Sequence, residues 1–191
     1  MEKRNRIHID LREHSSIDRK IVLETDPRIS VSGGAHPTTS LCIHLIERYL
    51  KPGNRFLDVG TGTGILMIVA AGLGAGYVTG IDHNPIAVET ARKNLLLNEI
   101  EEHRFEVRIG NRLDGMPGQY DLIAVNIVPY IINRMLEDVP KVLEQEGVII
   151  CSGILQGNAH GITSKMRAEG FEILETQTKD MWVAIAARLK T

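Results

Sequence analysis

The sequence is poor in cysteine and aromatic residues and has no long apolar run. Its two cysteines, Cys42 and Cys151, fit no Cys-x-x-Cys metal or redox spacing, which predicts a protein of the reducing cytoplasm. Aromatic residues make up 4% of the chain and offer few stacking platforms for unpaired bases. No segment approaches the ~20 apolar residues of a membrane span, and the charged N-terminus predicts no export signal.

An excess of positive charge is also missing. The chain has 22 Lys and Arg against 24 Asp and Glu, a formal charge of −2, which excludes the broad positive field of a non-specific nucleic-acid binder. Hydrophobic residues at 43% and charged residues at 24% are typical of a globular protein and exclude a disordered or fibrous one. A length of 191 residues predicts one domain whose core needs no disulfide or metal.

Residues 1–30 differ from the rest, and we interpret them as an N-terminal arm that precedes a domain over residues 31–191. Ile7, Ile9 and Leu11 alternate with polar residues, and residues 20–24, KIVLE, form another short apolar run. These patterns favour weak strands, with a mobile solvated tail as the alternative. The three apolar residues could pair across a homodimer or fold back onto their own chain, and both remain open.

Beyond Pro37 the pattern alternates between helix and strand. Apolar spacing and turn residues predict helices over residues 41–49 and 65–75, from Asn84-Pro85 onward, and around 129–143. Strands are predicted over 55–59, 77–81, 105–109, 121–126, 147–151, 171–177 and 182–188. The last two are too close for a parallel crossover and should form an antiparallel hairpin. The order predicts an α/β fold, a mostly parallel sheet with helices on both faces.

A glycine-rich segment, residues 60–64 (GTGTG), follows the first of these strands and opens an apolar helix. Such a loop brings backbone amides close to a ligand at the helix N-terminus. The dinucleotide fingerprint Gly-x-Gly-x-x-Gly fails, because Ile65 or Met67 stands where the third glycine belongs. A dehydrogenase is therefore the disfavoured alternative.

Two acids accompany this loop: Asp58 precedes it by two residues, and Asp82 ends the next strand. A carboxylate at position 58 would repel a pyrophosphate but suits a cation. S-adenosylmethionine (SAM) carries a sulfonium and an ammonium and no phosphate. Asp82 could accept both ribose hydroxyls, since an ionised carboxylate is an acceptor only. The arrangement predicts SAM binding; a ligand-free tight turn, with Asp82 capping the next helix, is the alternative.

Three further polar residues are candidates with two interpretations each. Asn111 follows the third strand of this series and could meet the adenine edge, or it could serve the turn alone. His36 could shape the cofactor entrance or pack within a His-Pro turn, and His83 could act as a base or lie exposed in a loop. The seven histidines have no metal-ligand spacing, so we predict no catalytic metal.

With these residues in place, the sequence resembles the PrmA family of class I SAM-dependent methyltransferases, which act on large-subunit ribosomal protein eleven. The resemblance covers residues from about 20 to 188. It rests on five ordered blocks, residues 34–42 (GAHPTTSLC), 57–66 (LDVGTGTGIL), 121–127 (DLIAVNI), 152–155 (SGIL) and 182–184 (WVA).

The resemblance implies a Rossmann-like sheet of seven strands, parallel except for the last, with SAM across the carboxyl ends of the first strands. It implies that Asp82 holds the ribose, that Asn111 reads adenine and that Asn126 lies beside the reacting methyl and the nucleophile. It further implies that the remaining cofactor contacts come from Thr38, Thr39, Gly60, Gly62 and Gly64.

Two features depart from the family. Its members carry an N-terminal substrate-recognition domain, which residues 1–30 are too few to build, and their Gly-Thr-Gly before the His-Pro-Thr-Thr block appears here within residues 32–35, SGGA. Both departures leave the cofactor blocks intact and bear on the acceptor.

The resemblance implies transfer of a methyl group to an amino group of a protein, with S-adenosylhomocysteine (SAH) as product. We hypothesise that Asn126 and neighbouring carbonyls orient the amine. Residues 126–130 resemble the Asn-Pro-Pro-Tyr loop of nitrogen methyltransferases with one extra residue, and we interpret Tyr130 as a helix-packing aromatic. A small-molecule N-methyltransferase and a non-catalytic SAM-binding module are the alternatives.

Overall fold

A computed structural model of the chain describes residues 5–13, 18, 20–26, 36–113, 115–116 and 118–190. The departure at residues 32–35 lies outside them. The strands are β1 (Asn5–Asp10), β2 (Lys20–Thr25), β3 (Arg55–Val59), β4 (Tyr77–Asp82), β5 (Phe105–Ile109), β6 (Tyr120–Asn126), β7 (Leu143–Leu155), β8 (Phe171–Lys179) and β9 (Trp182–Leu189). The helices are α1 (Pro37–Tyr49), α2 (Ile65–Gly72), α3 (Pro85–Leu97), α4 (Pro129–Met135) and α5 (Gln156–Ala168).

Seven strands form one sheet in the order β5-β4-β3-β6-β7-β9-β8. Neighbours from β5 to β7 are parallel, and β9 runs antiparallel to both β7 and β8. The hairpin between β8 and β9 turns on Asp180 and Met181, with Asp180 in the left-handed region that tight two-residue turns require. The predicted sheet, parallel except for its final strand, is confirmed.

Helices cover both faces of this sheet, as the alternation of strand side chains requires. Phe56 and Leu57, neighbours in β3, belong to two different buried apolar clusters. The cluster containing Phe56 includes residues of α1, α2 and α3, while the cluster containing Leu57 includes residues of α4 and α5. Strands such as β3 are therefore buried on both sides, which explains their nearly continuous apolar sequence.

The two strands of the arm, β1 and β2, pair antiparallel and form what we call the N-terminal hairpin. Ile7 faces Leu23 and Ile9 faces Ile21 in the register of the pair. Ile9, Ile21 and Leu23 are buried in the same cluster as α3. The alternating residues thus fold back onto their own chain, as one of the two alternatives proposed. A homodimer stays a prediction.

Apart from shifts of a few residues at the ends of elements, the structure differs from the predicted elements in three places. The helix predicted around 129–143 is divided into α4 and a short 3-10 turn, Val139–Lys141, because Pro140 has no N–H to continue it. Strand β7 extends beyond 147–151 in both directions. Helix α5 was not predicted, since Ile162 and Met166 are its only buried residues and give a weak periodic signal.

The topology determines where a ligand can bind. The chain leaves β3 for β4 and β5 on one side and returns to β6 on the other, so the loops after β3 and β6 diverge at the carboxyl edge of the sheet. A crevice forms at such a switch point. None of the helices in the described part of the chain has both the length and the apolar character needed to cross a bilayer.

Candidate active site

A cavity of about 630 Å³ opens at the carboxyl ends of β3, β4 and β6. It is lined by six of the nine site residues proposed from the sequence, namely Thr38, Gly60, Gly62, Asp82, Asn111 and Asn126. The other three, Thr39, Asp58 and Gly64, lie behind the cavity wall: the first two are almost fully buried, and Gly64 caps α2 against α3.

The glycine-rich segment, residues 60–64, is called the cofactor loop below. The Gly60 N–H donates to the Ile81 carbonyl at 2.8 Å, and the Gly62 N–H donates to Asp82 Oδ2 at 3.0 Å. Both glycines have positive φ, and a Cβ on Gly60 would lie 2.5 Å from Ile127 Cγ2. Glycine is thus required at position 60 by the turn and by the opposite wall of the cavity.

Asp82 lines the cavity, is 8% exposed and organises the loop around it. Its Oδ2 accepts from Gly62 N–H, and its Oδ1 accepts from Asn84 N–H at 2.9 Å. Asn84 itself caps α3, accepting from Ile86 N–H at 3.0 Å. The cap suggested for Asp82 is therefore made by Asn84, and Asp82 retains lone pairs with which it can accept hydroxyl groups from the cavity.

Asp58 lies beneath the cofactor loop and is 1% exposed. Burial raises the pKa of its carboxyl to about 7, opposed by a hydrogen bond from the Thr61 hydroxyl, and the negative charge of Asp82 adds to the increase. Thr61 Oγ1 donates to Asp58 Oδ2 at 2.8 Å. The two acids therefore have different positions: Asp82 faces the cavity, while Asp58 holds the loop from behind.

His36 and Trp182 form one side of the cavity. His36 is the N-cap of α1, and its Nδ1 accepts from Thr38 N–H at 3.3 Å and lies 2.8 Å from Thr38 Oγ1. The Trp182 ring meets the His36 ring edge-on, with 5.2 Å between centroids. The two interpretations of His36 are thus both realised, because it packs within the turn and shapes the cavity wall. His83 is exposed beside Asp82 and also lines the cavity.

Asn126 ends β6 and begins the wall opposite the cofactor loop. After it, Ile127, Val128 and Ile131 line the cavity. Gly153 of β7 lies against this segment with φ +81°, and a Cβ there would collide with the Ile127 carbonyl oxygen. Only glycine lets β7 pass so close to the loop that follows Asn126.

Ser152, the residue before Gly153, connects this wall to the His36 side. It pairs with Asn126 in the sheet and is fully buried. Its hydroxyl lies 3.4 Å from the Thr38 carbonyl oxygen and 3.3 Å from that of Val183. The hydroxyl therefore ties the start of α1 to the start of β9.

Large apolar side chains are exposed around this side of the carboxyl edge, and we call Val128, Tyr130, Leu155 and Met181 the rim. Val128 is 58% exposed and Tyr130 67% exposed. The interpretation of Tyr130 as a helix-packing aromatic is wrong: its ring faces solvent with the Arg134 guanidinium 5.6 Å from its centroid. Tyr130 stands in the first turn of α4, where it points away from the sheet.

Several lining residues received no site role from the sequence. Gly153 and Trp182 lie in the blocks SGIL and WVA, which signalled the family resemblance but not a position in the cavity. The others lie in the segments that follow predicted strands, and this position is the signal by which they could have been found. They are Gly110, Arg112, Ile127 and Val128 in loops, and Ile131 in α4.

The residues present fit SAM. Gly60 and Gly62 have no Cβ, which leaves room for the methionine chain of SAM close to the backbone. Asp82 offers acceptors for the ribose diol. Val59 and Ile81 add apolar surface suited to a flat base. Among the described residues, no group of His, Cys, Asp and Glu side chains is arranged to hold a metal ion.

Distant solved structures share this fold. A 16S rRNA methyltransferase of T. thermophilus, solved in complex with AdoMet and guanosine, superposes with a TM-score of 0.81 at 15% identity, covering 97% of this chain and 50% of that one. At this level of identity the likeness shows the fold alone.

Closer relatives share sequence as well. A relative from Bacillus licheniformis named ribosomal protein L11 methyltransferase is 41% identical over 169 residues, 88% of this chain and 54% of its own. One of the same name from Desulfosudis oleivorans is 38% identical over 179 residues, 93% and 59% respectively. The chain spans about half the length of these curated relatives.

A solved ribosomal protein L11 methylase from Lactobacillus delbrueckii subsp. bulgaricus is 31% identical, with a TM-score of 0.79 over 83% of this chain and 82% of that one. The family described as "Ribosomal protein L11 methyltransferase (PrmA)" matches residues 2–190. Because that match covers nearly the whole chain and agrees with the fold and the glycine loop, this protein belongs to the ribosomal protein L11 methyltransferase (PrmA) family.

Proposed function

We propose that this chain transfers a methyl group from SAM to an amino group of a protein. The observation that carries the proposal is that Asn126 and the cofactor loop line the same cavity, so that a nucleophile at Asn126 and a donor on the loop can meet. Relatives are named for ribosomal protein L11, which makes that protein the first acceptor to test.

We assign each cofactor contact from the position of the residue in the cavity wall. Gly60 and Gly62 would hold the methionine end, Asp82 the ribose hydroxyls and Asn111 the adenine edge, with Thr38 beside them. Thr39, Asp58 and Gly64 would support these contacts from behind the wall. When bound, SAM supplies an activated methyl group, which an amine lone pair takes as the carbon–sulfur bond breaks and SAH is left.

The acceptor amine must be neutral before it reacts. A free lysine side chain, with a pKa near ~10.4, is almost entirely protonated at neutral pH. Val128 and Ile131 line the cavity beside Asn126, and their apolar surface disfavours the charged ammonium by desolvation. The Asn126 side-chain oxygen and the Ile127 carbonyl would accept the remaining N–H groups and orient the lone pair, while the released proton passes to solvent.

The rim supports a protein acceptor over a small molecule. A site built around a small acceptor would be expected to cover its own apolar side chains, whereas Val128 and Tyr130 remain mostly exposed beside Asn126. Exposed apolar groups at a cavity mouth are typical of a surface that receives another macromolecule. The buried free thiols of Cys42 and Cys151 suit the reducing cytoplasm, which we propose as the compartment.

The test combines the chain with methyl-labelled SAM, purified ribosomal protein L11 and, separately, a set of small primary amines. We expect label on the protein. Label on the small amines alone would favour a small-molecule N-methyltransferase, and tight SAM binding without label would favour a binding module. No uptake of SAM or SAH at millimolar concentration in calorimetry would overturn the proposal.

Asn126→Ala probes the catalytic residue within that assay. Its turnover should fall by at least about tenfold, since loss of one positioning hydrogen bond costs on the order of 1.4 kcal/mol or more. Its SAM affinity should stay within about twofold of wild type. Asn158→Ala, on the exposed start of α5, is the matched control and should change neither quantity. Wild-type turnover in Asn126→Ala would remove Asn126 from the mechanism.

A further inference from the structure

Two asparagines at the C-terminal end of α3, Asn94 within the helix and Asn98 as its C-cap, are buried and have no part in the cavity wall. They stand one helical turn apart and face strand β2 of the N-terminal hairpin. A buried carboxamide is costly unless its donors and acceptor are bonded. The partners of these two side chains therefore indicate what the asparagines do.

Asn98 holds one residue of β2 as a neighbouring strand would. Its Oδ1 accepts from Val22 N–H at 3.0 Å, and its Nδ2 donates to the Val22 carbonyl at 2.7 Å. The same Nδ2 lies 2.8 Å from the Asn94 carbonyl oxygen within α3. These contacts join the hairpin to the C-terminal end of α3.

Asn94 bonds the backbone of Glu24, two residues further along β2, in the same way. Its Oδ1 accepts from Glu24 N–H at 2.7 Å, and its Nδ2 donates to the Glu24 carbonyl at 3.0 Å. Its second Nδ2 proton reaches elsewhere, to the Thr63 carbonyl at 2.9 Å. Thr63 belongs to the cofactor loop, so one carboxamide bonds the hairpin and the loop together.

The loop also rests directly on α3 beside this contact. A Cβ on Gly64 would lie 3.1 Å from both Cα and Cβ of Ala91, which stands one turn before Asn94. Gly64, which follows the Thr63 carbonyl, therefore has little room to shift. The end of the cofactor loop thus contacts α3 at two neighbouring points, the Thr63 carbonyl and Gly64.

We propose that Asn94 is a positioning residue that couples docking of the N-terminal hairpin to the conformation of the cofactor loop. With β2 docked, the Asn94 carboxamide is held in the orientation that bonds Thr63, and the loop is ready for its ligand. With the hairpin released, the carboxamide loses two of its three partners and the loop loses its fixed support. The inference rests on the proposed function only in assigning the cofactor to this loop.

Coupling of this kind is reciprocal. If hairpin docking raises the affinity of the loop for its ligand, the ligand must stabilise the docked hairpin by the same factor. Binding at the cavity should therefore reach the backbone amides of Val22 and Glu24, although neither residue lines the cavity. A purely structural Asn94 would lower stability without transmitting such an effect.

The two asparagines supply a matched pair of variants. Asn94→Asp keeps the acceptor for Glu24 N–H but turns an oxygen toward the Glu24 and Thr63 carbonyls. Asn98→Asp makes the same change toward the Val22 and Asn94 carbonyls, neither of which belongs to the cofactor loop. Both variants should melt at lower temperature than wild type. In calorimetry with SAH, Asn94→Asp should bind at least about tenfold more weakly, and Asn98→Asp within about threefold of wild type.

Hydrogen exchange measures the coupling directly and does not depend on either variant. Saturating SAH should slow exchange of the Val22 and Glu24 amides by several-fold in the wild-type chain and in Asn98→Asp, but not in Asn94→Asp. Unchanged exchange in a wild-type chain that binds SAH would overturn the inference and leave the proposed function standing, as would equal weakening in both variants. A wild-type chain that binds no SAH would overturn both.

Discussion

The two sides of the cavity are built differently. On the side that we propose for the cofactor, called the cofactor side below, Asp58 and Asp82 are nearly buried, and their carboxyl groups accept hydrogen bonds from the loop that they support. On the side that we propose for the acceptor, the rim exposes large apolar groups such as Val128 and Tyr130. One side is completed by bonds within the chain, and the other exposes apolar side chains to solvent.

The difference has a physical reason. Buried carboxylates and amides must be bonded in the folded state, so the cofactor side is preorganised before any ligand arrives. A single apolar side chain exposed to water destabilises the protein only slightly, and its burial against a partner is favourable. We therefore expect changes on the cofactor side to alter cofactor affinity, and changes on the rim to alter binding and reaction of the acceptor while cofactor affinity stays the same.

The largest effect is expected for Gly60→Ala. The added methyl meets Ile127 Cγ2 and also requires a positive φ, so the loop or the opposite wall must shift. SAM affinity should fall by at least about thirtyfold, or ~2 kcal/mol. Gly53→Ala is the control, since φ there is +85° but nothing lies within 4 Å of the added methyl. It should lower the melting temperature and leave SAM binding unchanged; equal losses of affinity would contradict steric closure of the cavity.

A smaller, separable effect is expected for the double variant Val128→Ser with Tyr130→Ala. It removes apolar contact area of the kind that costs ~1–2 kcal/mol at an interface, so KM for ribosomal protein L11 should rise about tenfold. SAM affinity, measured by calorimetry, should not change. Leu96→Ala, an exposed apolar residue of α3 outside the cavity, serves as control. A loss of SAM binding in the double variant would show that the two sides are not independent.

The smallest effect on binding is expected for Asp58→Asn, because Asp58 does not line the cavity. SAM affinity should stay within about threefold of wild type. Asp82→Asn changes a residue of the cavity wall and should weaken SAM affinity more.

The same Asp58→Asn variant should strongly change how the free energy of unfolding depends on pH. Because the folded-state pKa of about 7 lies above the ordinary value of 3.8, folding favours the protonated carboxyl. Its stabilisation is fully present below about pH 4 and is lost as the pH rises through about 7. The change amounts to roughly 4 kcal/mol at most. Urea unfolding between pH 4 and 8 should show this loss in wild type and a flatter profile in Asp58→Asn. Parallel profiles would contradict the raised pKa.

The sheet was largely predictable from the sequence. Strands over 55–59 and 105–109 match β3 and β5, since the first is largely apolar, the second alternates apolar and charged residues, and a glycine follows each. Prediction was weaker where the apolar period is misleading or faint. The apolar pattern after α4 continues through Pro140, where the chain forms a 3-10 turn instead of an α-helix, and α5 has only two buried residues.

The site was predictable where its residues stand at the ends of predicted strands. Of the six proposed residues that line the cavity, five end or follow a predicted strand, whereas Thr38 lies in the first turn of α1 and was indicated only by the family resemblance. Tyr130 was misjudged because its helix position alone does not show which side faces the sheet. Gly153 needs glycine for a reason found in Ile127, which lies 26 residues earlier in the chain.

The sequence by itself determined the strand–loop–helix unit with its acids, since a turn of glycines between an apolar strand and an apolar helix is a matter of neighbouring residues. Only the tertiary structure decided that Asp82 faces the cavity while Asp58 supports the loop, and that Asn94 joins Glu24 to Thr63. Such contacts connect segments up to 70 residues apart. They depend on the order of strands and the packing of helices across the sheet, which no local pattern encodes.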